Sequence, residues 1–171
     1  RTLYEKTYEY DYKRYHLVLL AKNNVGYHNL IKLVSIAHTE GFYVKPRIDK
    51  ATLRKYSEGL ICLSACIAGE IPQLILSGNI DGAKFAAEEY ISIFGRENFF
   101  FELQNHGIKE EAAVNNHLVG FARELGIGLV ATNDVHYIEK KDSRYQDVLM
   151  CIQTGKKLSD TDRMKFETSE M

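Results

Sequence analysis

Residues 109–136 read KEEAAVNNHLVGFARELGIGLVATNDVH and hold one complete unit of the fold. A helix-period segment runs from about Lys109 to Leu125 and is stopped by Gly126; a short apolar run, GLVATND from Gly128 to Asp134, then reads as a strand. Working outward, the same alternation recurs along the chain. Three more strands are predicted, HLVLLA from His16 to Ala21, LICLS from Leu60 to Ser64 and NFFFELQ from Asn98 to Gln104. All four are mostly apolar on both faces, the pattern of strands covered on both sides. Helices are expected from near Asn24 to Gly41, from an Asp49 N-cap towards Gly59, over EIPQLILSG with Pro72 in its first turn, from Ile80 to Phe94, and from about Asp142 to Gln153 before Gly155. The fold class is therefore α/β. Four strands are too few to close a barrel alone, so a piece of a larger barrel is expected.

Composition sets the outer limits. The chain has 171 residues, 45% hydrophobic and 26% charged, with a formal net charge of −1, enough for one domain with a core of its own. The low Pro and Gly content excludes collagen-like and low-complexity classes. Near-neutral charge argues against a free-standing nucleic-acid module, which normally carries a Lys/Arg excess. Cys62, Cys66 and Cys151 have neither zinc-finger spacing nor an even count, so a reducing cytoplasmic setting is expected. No apolar run is long enough to span a bilayer, and no membrane partner is expected. The chain opens on RTLYEKTYEYDYKRYH and closes on KFETSEM, and both ends read as cuts through a longer protein.

Catalytic side chains in strand-and-helix folds gather at the C-terminal ends of strands. That rule selects Asp134 and His136, two apart in T-N-D-V-H-Y and so on one side of an extended segment, where a carboxylate and an imidazole can grip one divalent cation. The competing reading is a strand-end Asp capping a turn beside a surface His. Cys66 lies just beyond the second strand and is a possible zinc ligand, although a lone Cys is more often a packing residue; Cys62, inside the strand, reads as core. His106 follows the third strand and Glu102 lies within it, which makes both secondary candidates. His28, His38 and His117 fall on or beside helices and read as surface or packing residues. His16 stands at the wrong end of its strand for this rule, and periodicity alone does not choose it. A basic stretch with Lys45, Arg47, Lys50, Arg54 and Lys55 could touch phosphate but reads better as a solvated helix face. No nucleophile elbow, Ser-His-Asp triad or Gly-rich phosphate loop is present.

The segments YHLVLLAKNNVGYHNLIKL, EGLICLSACIAGEI, FFFELQNHG, GLVATNDVHY and RMKFETSEM agree in order and spacing with one family. Over essentially its whole length the chain resembles the bacterial DNA polymerase III alpha subunits, C-family replicative polymerases, in the second part of their N-terminal PHP (polymerase and histidinol phosphatase) domain. The resemblance implies that residues 1–171 are a partial PHP domain, the later portion of a distorted (β/α)7 barrel whose C-terminal mouth binds up to three metal ions. It implies metal ligands at His16, in H-L-x-x-L-A-K, at Cys66, in L-S-A-C, and at Asp134 and His136, in N-D-V-H. His16 is thus promoted by the resemblance alone. The family's earlier ligands, an opening His-x-His pair, an Asp and a His, and a Glu, have no counterpart in this chain.

The chemistry so implied is metal-assisted phosphodiester hydrolysis, as 3′–5′ exonuclease proofreading, with Zn²⁺ the first choice of metal and Mn²⁺ or Mg²⁺ the alternatives. DNA, through the full-length polymerase, and other replisome subunits are the implied partners. The palm aspartates of the polymerase lie outside this sequence, and the chain by itself is expected to be inactive. Two alternatives remain: a non-catalytic structural or interaction PHP domain of the same polymerase, and a stand-alone phosphatase of the histidinol-phosphatase type.

Overall fold

A computed structural model describes residues 2–7 and 14–165; of RMKFETSEM, residues 166–171 lie outside the described residues. Four strands, β1 (Val18–Ala21), β2 (Leu60–Leu63), β3 (Phe99–Leu103) and β4 (Gly128–Ala131), form one sheet in sequence order. Six helices accompany them: α1 (Asn24–Thr39), α2 (Lys50–Lys55), α3 (Glu70–Leu76), α4 (Ile80–Phe94), α5 (Lys109–Leu125) and α6 (Ser143–Thr154). The chain is α/β, and every predicted strand and helix is present. Helix α2 ends at Lys55, short of Gly59, because Tyr56 leaves helical geometry at φ −125°.

Strands β2, β3 and β4 are parallel, with Cys62 opposite Phe99 and Phe101 opposite Leu129. Strand β1 is antiparallel to β2, pairing Val18 with Leu63 and Ala21 with Leu60. Burial corrects one expectation. Only β2 and β3 are largely buried, whereas β1 and β4 are the outer strands and expose much of their surface, Leu20 and Leu129 included. An outer strand has a neighbour on one side only, so apolar sequence does not by itself signal full cover.

The core lies where the inner strands meet the helices. Phe99 and Phe101 are completely buried, their rings meeting edge to face at 5.4 Å, while Tyr90 of α4 stacks on Phe99 at 5.6 Å. Burial of each such ring contributes about 1.5–3 kcal/mol. Ala83, Ala86 and Ala87 form the small-residue face by which α4 approaches this cluster. Burial raises the pKa of the Tyr90 phenol, and the neighbouring Glu70 carboxylate, which accepts its hydrogen bond at 2.7 Å, adds to the shift.

Helix α1 is seated on the β1–β2 end by an unusually close approach. A Cβ on Gly26 would lie 1.8 Å from the Gly59 carbonyl oxygen, so only glycine fits there. Asn23 caps the helix by accepting the Gly26 N–H at 2.9 Å. Part of the basic stretch proves to be internal wiring, whereas Lys45, Arg54 and Lys55 are exposed, as a solvated face requires. Lys50 bonds Glu70 and Glu89, Arg47 donates to the carbonyls of Gly41 and Leu3, and Arg54 reaches Ser92.

Asp49 is the N-cap of α2, as its position before the apolar helix predicts. It accepts the Thr52 N–H and hydroxyl and, from far earlier in the chain, the Leu3 N–H at 2.9 Å. Burial opposes its charged form, but these three donors outweigh it and hold the carboxyl below its ordinary value. A depressed folded value makes the stabilisation complete above the unfolded carboxyl value, about 3.9, and removes it as pH falls through the lowered one. Asp49→Ala is expected to cost about 1 kcal/mol at neutral pH. Urea unfolding should show the difference from wild type shrinking as pH falls below the ordinary carboxyl value, about 3.9.

Candidate metal centre

Parallel strands put their C-terminal ends on one edge, and three predicted site segments leave from it. Cys66 follows β2, His106 follows β3, and Asp134 and His136 follow β4. The antiparallel direction of β1 brings its N-terminal end to the same edge. There the His16 N–H donates to the Ala68 carbonyl at 3.0 Å, and His16 bridges to Gly69. His16 and Cys66 consequently meet, with Nδ1 3.5 Å from Sγ. The strand-end rule passed over His16 because it presumes parallel strands; β1 runs the other way.

The backbone around Cys66 is shaped for this meeting. Ala65, just beyond β2, adopts a left-handed conformation with φ 64°, a geometry that costs an L-residue with a Cβ roughly 1–2 kcal/mol. Gly69 follows in close contact; a Cβ there would lie 2.3 Å from the Ser64 carbonyl oxygen. Cys66 remains partly accessible, whereas Cys62 and Cys151 are buried. Burial also pushes the Cys62 thiol well above the ordinary value.

Asp134 and His136 form a second pair. His136 Nδ1 lies 2.7 Å from the Asp134 carbonyl oxygen and 3.8 Å from Oδ1, with both side chains open to solvent. Among the described residues, no group of three or more His, Cys, Asp and Glu side chains is close enough to hold one ion. The four ligand candidates therefore stand as two pairs along one edge. Their donors, a thiol with an imidazole and a carboxylate with an imidazole, suit a divalent cation of borderline softness.

Between the pairs lies Glu102, only 6% exposed. Its N–H donates to the Ser64 hydroxyl at 2.9 Å, and Oε1 accepts from Thr132 and from Gln104. Oε2 is buried without a hydrogen-bond partner among the described residues. Glu102 and Cys66 also share the wall of a cavity of about 10 Å³, the lower limit for one water. His106 is 1% exposed and does not present itself as a ligand. Its ring is held by Glu111, a residue that sequence reading missed. The available signal was a carboxylate on the stripe of α5 that also carries Val114, Leu118 and Leu125, all buried.

The class of the protein follows from comparison: the PHP domain family matches residues 3–106, and the chain belongs to that family. More particularly, 156 residues, 91% of the chain, are similar to the DNA polymerase III subunit alpha of Borreliella burgdorferi at 54% identity. The same span is 51% identical to the subunit of Treponema pallidum and 50% identical to that of Thermus aquaticus. The chain spans 14% of the length of the first of these relatives and 13% of each of the other two.

Accessibility orders the three thiols. A thiol reagent applied to the native protein should label Cys66 first, with Cys62 and Cys151 reacting only on unfolding. Peptide mass spectrometry of briefly treated protein checks this, and early labelling of Cys62 would contradict the packing described.

Proposed function

We propose that residues 1–171 are the later portion of the PHP domain of a replicative DNA polymerase alpha subunit, and that they supply His16, Cys66, Asp134 and His136 to a divalent metal centre. The observation that carries this reading is the meeting of His16 and Cys66, from strands of opposite direction, 3.5 Å apart at the edge that also bears Asp134 and His136. Zn²⁺ is the metal best suited to the thiolate and imidazoles, with Mn²⁺ or Mg²⁺ as alternatives.

When bound, such cations lower the pKa of a water and stabilise the oxygens of a phosphodiester undergoing hydrolysis. The contribution of this chain is to hold donors in place. Gly69 and the left-handed Ala65 set Cys66 against His16, and the backbone following β4 carries Asp134 and His136 together. The activity that fits is 3′–5′ removal of nucleotides from DNA, within a cytoplasmic polymerase whose other parts and replisome partners supply most DNA contacts. The near-neutral charge of the chain agrees with that division of labour.

A second reading has its own observation. The two pairs do not close around one ion among the described residues, which favours a structural PHP domain supporting the polymerase. The full-length subunit separates the two. The exonuclease reading expects stoichiometric metal and 3′-end degradation abolished by a chelator; absence of both would leave the structural reading. Asp134→Ala should lower metal affinity at least ~10-fold, since even groups that only support ligands are worth that much. Isothermal titration with Zn²⁺ measures it, and unchanged affinity would remove Asp134 from the site.

A further inference from the structure

The Asp134 segment is followed by no regular element until the 3-10 turn at Lys140–Asp142, yet its first residues are tied to a buried, hydrogen-bonded couple, of which Glu111 also lines the small cavity beside Cys66 and Glu102. His106 and Glu111 are 1% and 4% exposed. Glu111, in the first turn of α5, turns back and accepts twice from His106: the backbone N–H at Oε2 and the ring Nδ1 at Oε1, each at 2.6 Å. Both carboxylate oxygens are thus used, and the imidazole is fixed in its plane. Its other nitrogen, Nε2, faces the strand-end loop, 2.6 Å from Asn133 Oδ1 and 3.2 Å from the Asp134 nitrogen. The Asp134 N–H also lies 3.2 Å from Asn133 Oδ1.

We infer that His106 and Glu111 form a positioning pair that sets the backbone at Asp134, and thereby the aim of the Asp134 and His136 side chains. The inference rests on the proposed metal centre for its purpose but not for its geometry. With Nε2 bare, His106 accepts the Asp134 N–H directly, and the Asn133 side chain must turn its amide nitrogen towards the ring, because two acceptors repel at 2.6 Å. With Nε2 protonated, it donates to Asn133 Oδ1, and that oxygen accepts the Asp134 N–H. Both arrangements hold the same peptide group. The packing supplies the rigidity: α5 is anchored by Val114, Leu118 and Phe121, and Asn115 of the same helix donates to the Gln104 carbonyl at 2.8 Å, fixing the end of β3 from which His106 departs. The constraint therefore passes from a core helix, through a carboxylate and an imidazole, to the loop bearing two candidate ligands. Conserving the orientation of a ligand in this indirect way is what outer partners of metal sites do.

The test uses metal-free and Co²⁺-titrated protein, so that the pair is judged apart from any activity. His106→Leu keeps bulk but removes both ring nitrogens, His106→Gln keeps a group able to accept or donate, and Glu111→Gln keeps the couple while weakening it. Amide hydrogen exchange should accelerate at Asp134 by about 10-fold or more in His106→Leu, with Phe101 and Leu118 still protected, and should stay within about 3-fold of wild type in His106→Gln. Co²⁺ affinity should fall ~10-fold in the leucine variant and recover in the glutamine variant. Equal exchange at Asp134 in wild type and His106→Leu overturns the inference, as does failure of His106→Gln to restore it. Should His106→Leu lose protection throughout the core, Glu111→Gln decides: faster exchange confined to the Asp134 segment supports the pair, and no change there refutes it. Loss of Co²⁺ binding in every protein, wild type included, would refute the metal centre while the exchange results still judge the pair.

Discussion

The pairing of β1 with β2 in opposite directions is the constraint on which the candidate site depends. Three parallel strands deliver their successors to one edge by necessity, but a fourth parallel strand would have carried His16 to the far side of the sheet. Reversal of β1 returns it, and the hydrogen bond from His16 to Ala68 sets its distance from Cys66. The turn between Ser64 and Gly69 must then be tight enough to admit that bond. Its left-handed Ala65 and its side-chain-free Gly69 are the local costs of that tightness, and both fall within the L-S-A-C-x-x-G segment.

Much of this architecture was legible in the sequence, for a physical reason. Glycines and capping residues punctuate nearly every element, and Gly126 and Gly155 do adopt the left-handed geometry that ends α5 and α6. Strand existence was equally plain from the short apolar runs. Strand direction was not, since a four-residue run such as Val18–Ala21 carries no sign of which way it pairs. Exposure of the outer strands was hidden for the same reason: neighbours decide it, not composition.

The site divides along similar lines. Asp134, His136 and Cys66 follow strands and could be selected by position, whereas His16 needed the family pattern, and Glu111 was not singled out at all. The basic stretch from Lys45 to Lys55 divides in two. Lys45, Arg54 and Lys55 face solvent as a solvated face would, but Lys50 and Arg47 are engaged in holding helices and loops together. The near-neutral net charge leaves this chain with little net electrostatic attraction of its own for a polyanion.

The sheet also has a consequence for how the protein behaves in bulk. Strands β1 and β4 each have a strand on one side only among the described residues, and the outer rim of β4, from Gly128 to Ala131, is a short row of backbone donors and acceptors beside an exposed Leu129. Such a rim is a template for another strand. Pairing through that rim is bimolecular, so any edge-to-edge association of the chain rises with its concentration.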